Sequence, residues 1–121
     1  MPWKKASPEL IQYFDTLLAE TPGAEKKKMF GYPVGYVNEV WFIGCYDEND
    51  IVLRLSDHDR AEFLALESAR QFEAMPGRPM KEFVVVPLWV REDPAQMRQW
   101  VGRSLRYAST LEPKPKGKRG R

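Results

Sequence analysis

Cys45 and His58 would have to carry any conventional nucleophile-and-imidazole chemistry, because the sequence holds one cysteine and one histidine. A reactive cysteine needs a cationic, partly exposed setting. Cys45 instead ends the apolar run Val40 to Cys45, where a small buried thiol is the expected reading, and His58 falls in an exposed first helical turn. To act as nucleophile and base the two would have to meet across a sheet. The same counts leave no HExxH pair, no His-rich metal site, no zinc deaminase signature, no Cys-rich zinc knuckle and no intramolecular disulfide. The loop Asp47-Glu48-Asn49-Asp50 has the residue types of a cation site, but an EF-hand register puts Val52 where glycine is required and His58 where the closing glutamate belongs. A solvated hairpin loop is expected. Gly31-Tyr32-Pro33-Val34-Gly35 matches neither the P-loop nor the dinucleotide fingerprint, and its glycines suit a tight reversal between strands. The expectation is therefore no catalytic, cofactor-binding or metal-ligating residue, no cofactor and no enzyme.

The elements that position these residues can be read along a chain of 121 residues, the size of one domain. Hydrophobic residues at 43% and charged residues at 30%, with mean hydropathy −0.54, describe a globule with a real core. The longest apolar stretch uninterrupted by proline, counting glycine, is Val40 to Tyr46, far short of the ~20 residues that span a bilayer. No apolar segment follows the basic N-terminus, so a cytoplasmic protein without a signal peptide or membrane partner is expected.

Ser7-Pro8-Glu9 reads as a cap, a first-turn proline and a first-turn acid, opening a helix to about Ala19 with Leu10, Phe14, Leu17 and Leu18 on one stripe. Glu25 to Phe30 reads as a strand in which Lys27 shares a side with Met29 and snorkels at an edge. Val34 to Val37 and Val40 to Cys45 flank Asn38-Glu39 as a hairpin. Glu39 at positive φ would cost about 1 kcal/mol, which leaves a longer or bulged loop open as the alternative. Ile51 to Leu55 follows as a strand, and Ser56 caps a helix to about Leu66 anchored by Phe63 and Leu64. Part of Ser68 to Arg78 adds a short strand, Met80 to Val86 is a strand buried on both faces and stopped by Pro87, and Asp93-Pro94 opens the last helix. Met97, Val101, Leu105 and Ala108 form that helix's apolar stripe. The order α-β-β-β-α-β-α, with short links between strands, makes an α+β layer: an antiparallel sheet with helices packed on it. Phe30, Tyr32, Tyr36, Trp41, Phe42 and Tyr46 crowd the β portion, where a half-buried sheet is the expected use and a base-stacking platform beside Lys26 and Lys28 the lesser one.

Charge is unevenly spread. Residues 1–93 hold eleven Lys/Arg against sixteen Asp/Glu, and residues 94–121 hold eight against one. Arg103, Arg106, Lys114, Lys116, Lys118, Arg119 and Arg121 are the candidates for neutralising nucleic-acid phosphates, with no base-reading role. Glu112 onward has no apolar side chain except proline and is expected to be a mobile tail, with a solubilising terminus as its expected use and a polyanion-binding arm as the lesser one. The divisions are an N-terminal tail over 1–6, a domain over 7–108 and a basic tail over 109–121.

Lys27-Lys28-Met29-Phe30-Gly31-Tyr32-Pro33, followed by Tyr36-Val37-Asn38, Trp41-Phe42, Leu53-Arg54-Leu55 and Asp59-Arg60-Ala61-Glu62-Phe63, resembles the N-terminal domain of the TfoX/Sxy competence-regulator family. Met75-Pro76-Gly77-Arg78-Pro79-Met80 and the strand ending at Val86-Pro87 look like its small stand-alone members. The resemblance runs from about residue 7 to 108 and implies an α+β domain similar to the secretion-chaperone-like class. Asn38-Glu39 stands where Asn-Gly is expected, and Lys28 to Gly31 is taken as a structural corner. The family's full-length regulators are bacterial proteins that promote competence-gene transcription with a catabolite-activator-type partner and carry a second, helical domain, in whose place this chain has the basic tail. The likeness implies a non-enzymatic binding module acting on a protein partner such as a transcription factor, or on a second copy of itself, to which the charge of the tail would add weak non-specific DNA contact. The alternatives are a small-molecule or peptide-binding domain with a pocket between sheet and helices, and an enzyme of unknown type.

Overall fold

The computed structural model describes residues 5–29, 31–75 and 78–111. Phe30, Pro76-Gly77 and, of the expected tails over 1–6 and 109–121, residues 1–4 and 112–121 lie outside the described residues. Ten elements follow one another: α1 (Pro8–Ala19), β1 (Ala24–Met29), β2 (Tyr32–Val37), β3 (Val40–Tyr46), β4 (Asp50–Arg54), α2 (Asp57–Leu64), β5 (Arg70–Met75), β6 (Arg78–Val85), α3 (Leu88–Arg91) and α4 (Pro94–Ser109). The fold is α+β, with one antiparallel six-stranded sheet in the order β1-β2-β3-β4-β6-β5. The strands β1 and β5 at the two edges and the single turn α3 fill out the expected order.

Local chemistry sets the helix boundaries. The Ser7 hydroxyl accepts from the Leu10 N–H at 3.1 Å, the Ser56 hydroxyl from Asp59 N–H at 3.2 Å, and the Asp93 carboxylate from the N–H groups of Ala95 and Gln96. Each cap satisfies amides that a helix start leaves orphaned. The apolar stripe of α1 buries Leu10, Phe14 and Leu18. That of α4 is wider than periodicity alone suggests: Trp100 lies edge-on to Phe63 at 4.8 Å, and buried Ser104 donates from Oγ to the Phe42 carbonyl at 3.0 Å.

All helices share one face of the sheet. Leu53 and Val84 pair across β4 and β6 and join the cluster that holds Phe14, Phe63, Val90 and Trp100, whereas the neighbouring pair Val52 and Val85 joins a second cluster with Phe72 and Phe83. Alternation along β6 therefore buries Phe83 to Val86 on both faces. Trp41 and Tyr46 complete the second cluster, with Trp41 stacked 4.2 Å from Phe83 and Tyr46 edge-on to Phe72 at 5.0 Å. The space between sheet and helices is filled by fully buried side chains such as Phe14, Phe42, Ile51 and Leu53.

Edge strand β1 places its lysines as alternation requires. Lys26 turns to α1 and pairs with Asp15 at 2.6 Å, while Lys27 lies over the Tyr36 ring at 4.7 Å. Charge along an edge discourages pairing with another sheet. The two-residue hairpin at Asn38-Glu39 forms as the sequence reads, without the longer loop left open as its alternative. Val37 pairs with Val40, both link residues take positive φ at 51° and 66°, and the irregularity sits instead inside the strand, between Gly35 and Tyr36.

Candidate functional site

Pro87 decides the most distinctive surface. It lacks an N–H, so β6 ends, and its φ of −65° with ψ 154° leads into the single turn α3. One turn has one inward position. Val90 takes it and is fully buried, so Leu88 and Trp89 are left 54% and 41% exposed. Trp89 is nevertheless held, because its indole Nε1 donates to the Glu67 carbonyl at 2.8 Å.

Beside these side chains opens a cleft of about 310 Å³ whose lining includes Asp50, Ser68, Arg70, Val86, Pro87 and Arg91. Arg91 comes from α3. It donates from Nη1 to the Asn49 carbonyl at 2.9 Å, and its guanidinium carbon is 5.8 Å from the centre of the Tyr13 ring. Tyr13 in turn donates its hydroxyl to the Arg91 carbonyl at 3.2 Å, and burial, against the opposing Arg91 charge, pushes its phenol above the ordinary value. Arg70 opens β5 with its side chain 62% exposed and one Nη 3.5 Å from Asp50. Ser68, at φ 67°, makes the turn that brings the chain to it. Two permanently charged, multi-donor groups beside apolar walls suit recognition of a carboxylate. A second, smaller groove of about 130 Å³ runs between α1 and α4, lined by Tyr13, Leu17, Arg91, Pro94, Met97 and Arg98 among others.

The residues singled out by type are placed elsewhere. Cys45 is buried in β3, and burial pushes its thiol up to about 12, far from a reactive thiolate. His58 projects from α2 and sits 3.4 Å from Asp59. His58, Asp59 and Glu62 present ligand atoms within 4.8 Å of one another, but Arg103 reaches both carboxylates, at 3.3 Å to Asp59 and 2.9 Å to Glu62. Hydrogen bonding to Glu62 raises the Arg103 pKa beyond its ordinary value, and the guanidinium also covers Trp100 at 4.6 Å. Of the seven basic candidates, Arg103 is thus committed to holding α4 against α2, and Arg106 is exposed in the last turn of α4. Lys114, Lys116, Lys118, Arg119 and Arg121 lie outside the described residues.

Sequence reasoning missed Leu88, Trp89, Arg70 and Arg91. The available signal was two large apolar residues directly after a proline that ends a doubly buried strand, in a stretch too short for periodicity. A family model described as TfoX N-terminal domain matches residues 16–108, more than half of the chain. The chain belongs to the TfoX N-terminal domain family. Searches of curated proteins and of solved structures return no match. In this TfoX N-terminal domain, no helix among the described residues is long and apolar enough to cross a membrane.

Proposed function

We propose that this TfoX N-terminal domain is a non-enzymatic docking module of a cytoplasmic, competence-type transcription regulator, and that it grips a protein partner through the α3 surface. The observation that carries the reading is the exposure of Leu88 and Trp89, the large apolar side chains left open among the described residues. Exposed tryptophan and arginine around a small apolar patch are the residue types that dominate binding energy at protein interfaces. Burying the two side chains against a partner removes apolar area at about 25 cal/mol per Å².

The test uses the tagged full chain as bait in extract from its native cells, with captured proteins quantified by mass spectrometry. The Leu88→Ser/Trp89→Ser variant, checked for an intact fold by circular dichroism, is expected to lose the specific captures by about tenfold or more. Undiminished capture by the folded variant overturns the reading. A second copy of the chain as partner would show as a dimer in light scattering that the same variant abolishes.

The uneven charge favours a second, weaker contact. Arg106 and the basic residues from Lys114 to Arg121 meet nucleic-acid phosphates without reading sequence, which strengthens docking near DNA.

A further inference from the structure

We infer that the cleft beside α3 receives an apolar protein segment bearing a single carboxylate, with the carboxylate held by Arg70 and Arg91. This rests on the docking reading and names the chemistry of what docks. At about 310 Å³ the cleft is at the small end of ligand pockets, with room for one or two side chains of an extended segment. Val85, Val86 and Pro87 supply apolar lining, and Leu88 and Trp89 extend it into solvent. The Trp89 N–H is already spent on the Glu67 carbonyl, so what the indole offers an occupant is its ring.

Charge selects the occupant. The lining holds two arginines against one carboxylate, within a portion of chain in which acids outnumber bases. Exposed Glu67 and Glu92 adjoin the lining residues Ser68 and Arg91 in sequence. A polyanion such as nucleic acid, or a run of acids, brings charge against those glutamates as well as against the arginines, whereas one carboxylate between apolar side chains faces the two arginines with Asp50 as the one lining acid. Asp50 stands in as the competitor. Its 3.5 Å separation from Arg70 is long beside the ~2.7–2.9 Å of a strong charge-assisted hydrogen bond, so Arg70 can exchange it for an incoming carboxylate.

The experiment follows the Trp89 indole N–H resonance of the ¹⁵N-labelled full chain, assigned with Trp89→Phe. The probes are a capped hexapeptide of serine and leucine with one central glutamate, its glutamine counterpart, and an oligothymidylate. The glutamate peptide is expected to shift the resonance saturably, and the glutamine peptide to bind about fivefold or more weakly. Arg70→Gln is expected to abolish the difference between the two peptides. Asp50→Asn is expected to tighten the glutamate peptide by about twofold or more, a gain that a merely structural role for Asp50 does not give. No shift at about 5 mM peptide, equal binding of both peptides, or an equal shift with oligothymidylate overturns the inference. Partner capture that still depends on Leu88 and Trp89 alongside any of these results rejects the ligand class and keeps the docking surface.

Discussion

Glu39 occupies φ 66° next to Asn38 at 51°, the conformation of a two-residue turn whose twist matches the flanking strands. Asparagine tolerates it, and a glutamate Cβ does not without strain of about 1 kcal/mol. Glu39→Gly is therefore expected to raise stability by about 0.5–1 kcal/mol, read as a midpoint shift of a few degrees in thermal melting; an unchanged or lowered midpoint contradicts the account. The sequence showed the misfit but not its outcome: the cost of the glutamate is local, and the pairing of Val37 with Val40 outweighs it. Glu82 is the matching case for charge. Partial burial acts to raise its pKa, but hydrogen bonds from Tyr107 at 2.7 Å and Arg54 at 2.8 Å outweigh burial and hold it below the ordinary carboxylate value. A carboxylate depressed in the folded state contributes stability that is present above its unfolded pKa and is lost as pH falls through the folded one. Glu82→Gln is expected to lower the melting temperature at pH 7 and to flatten its fall below about pH 4. Parallel melting curves for the two proteins from pH 7 into that acid range would show the carboxylate to be uncoupled from folding.

Helix α1 docks on this sheet at a position where a strand side chain is absent. At Gly35 an added Cβ would stand 2.6 Å from Ile43 Cγ2 and 2.9 Å from Leu18 Cδ2, so the missing side chain lets α1 close on β2. Gly35→Ala is expected to cost about 1–3 kcal/mol by overpacking, measured by denaturant unfolding, and a neutral substitution would mean that α1 can shift freely. Elements were legible where their apolar residues form a regular pattern. The stripe of α1, the common face of Ile51, Leu53 and Leu55 and the unbroken apolar run Phe83 to Val86 are each patterns of several residues, and the structure keeps all three. Edge strand β5 is harder to read because its register shifts twice, and the Gln71 side chain donates to the Met80 and Phe83 carbonyls at 2.7 and 2.9 Å. The single turn α3 carries no period at all, and with it the cleft stayed hidden. Arg70 and Arg91 are 21 positions apart in sequence and become neighbours around one cavity only once β6 inserts between β4 and β5.

Charge belongs to the whole molecule, since a field sums over residues that never touch. The excess of acids up to residue 93 and of bases after it makes the proposed docking surface and the proposed polyanion contact separable by experiment. Arg103 sharpens the distinction. It counts toward the basic end of the sequence, yet its two carboxylate partners and its position over Trp100 make it a tie between α4 and α2. Binding of the full chain to duplex DNA across a salt series separates the two kinds of cation. Truncation after Glu112 removes five of them, Lys114, Lys116, Lys118, Arg119 and Arg121, and is expected to reduce the slope of log K against log salt by up to about 4.5. Arg103→Gln is expected to leave that slope unchanged while lowering the melting temperature, because the guanidinium lost was neutralised within the fold. Equal slopes for the full and truncated chains would remove the tail from the function, and a shallower slope for Arg103→Gln would return this arginine to the phosphate-contacting set.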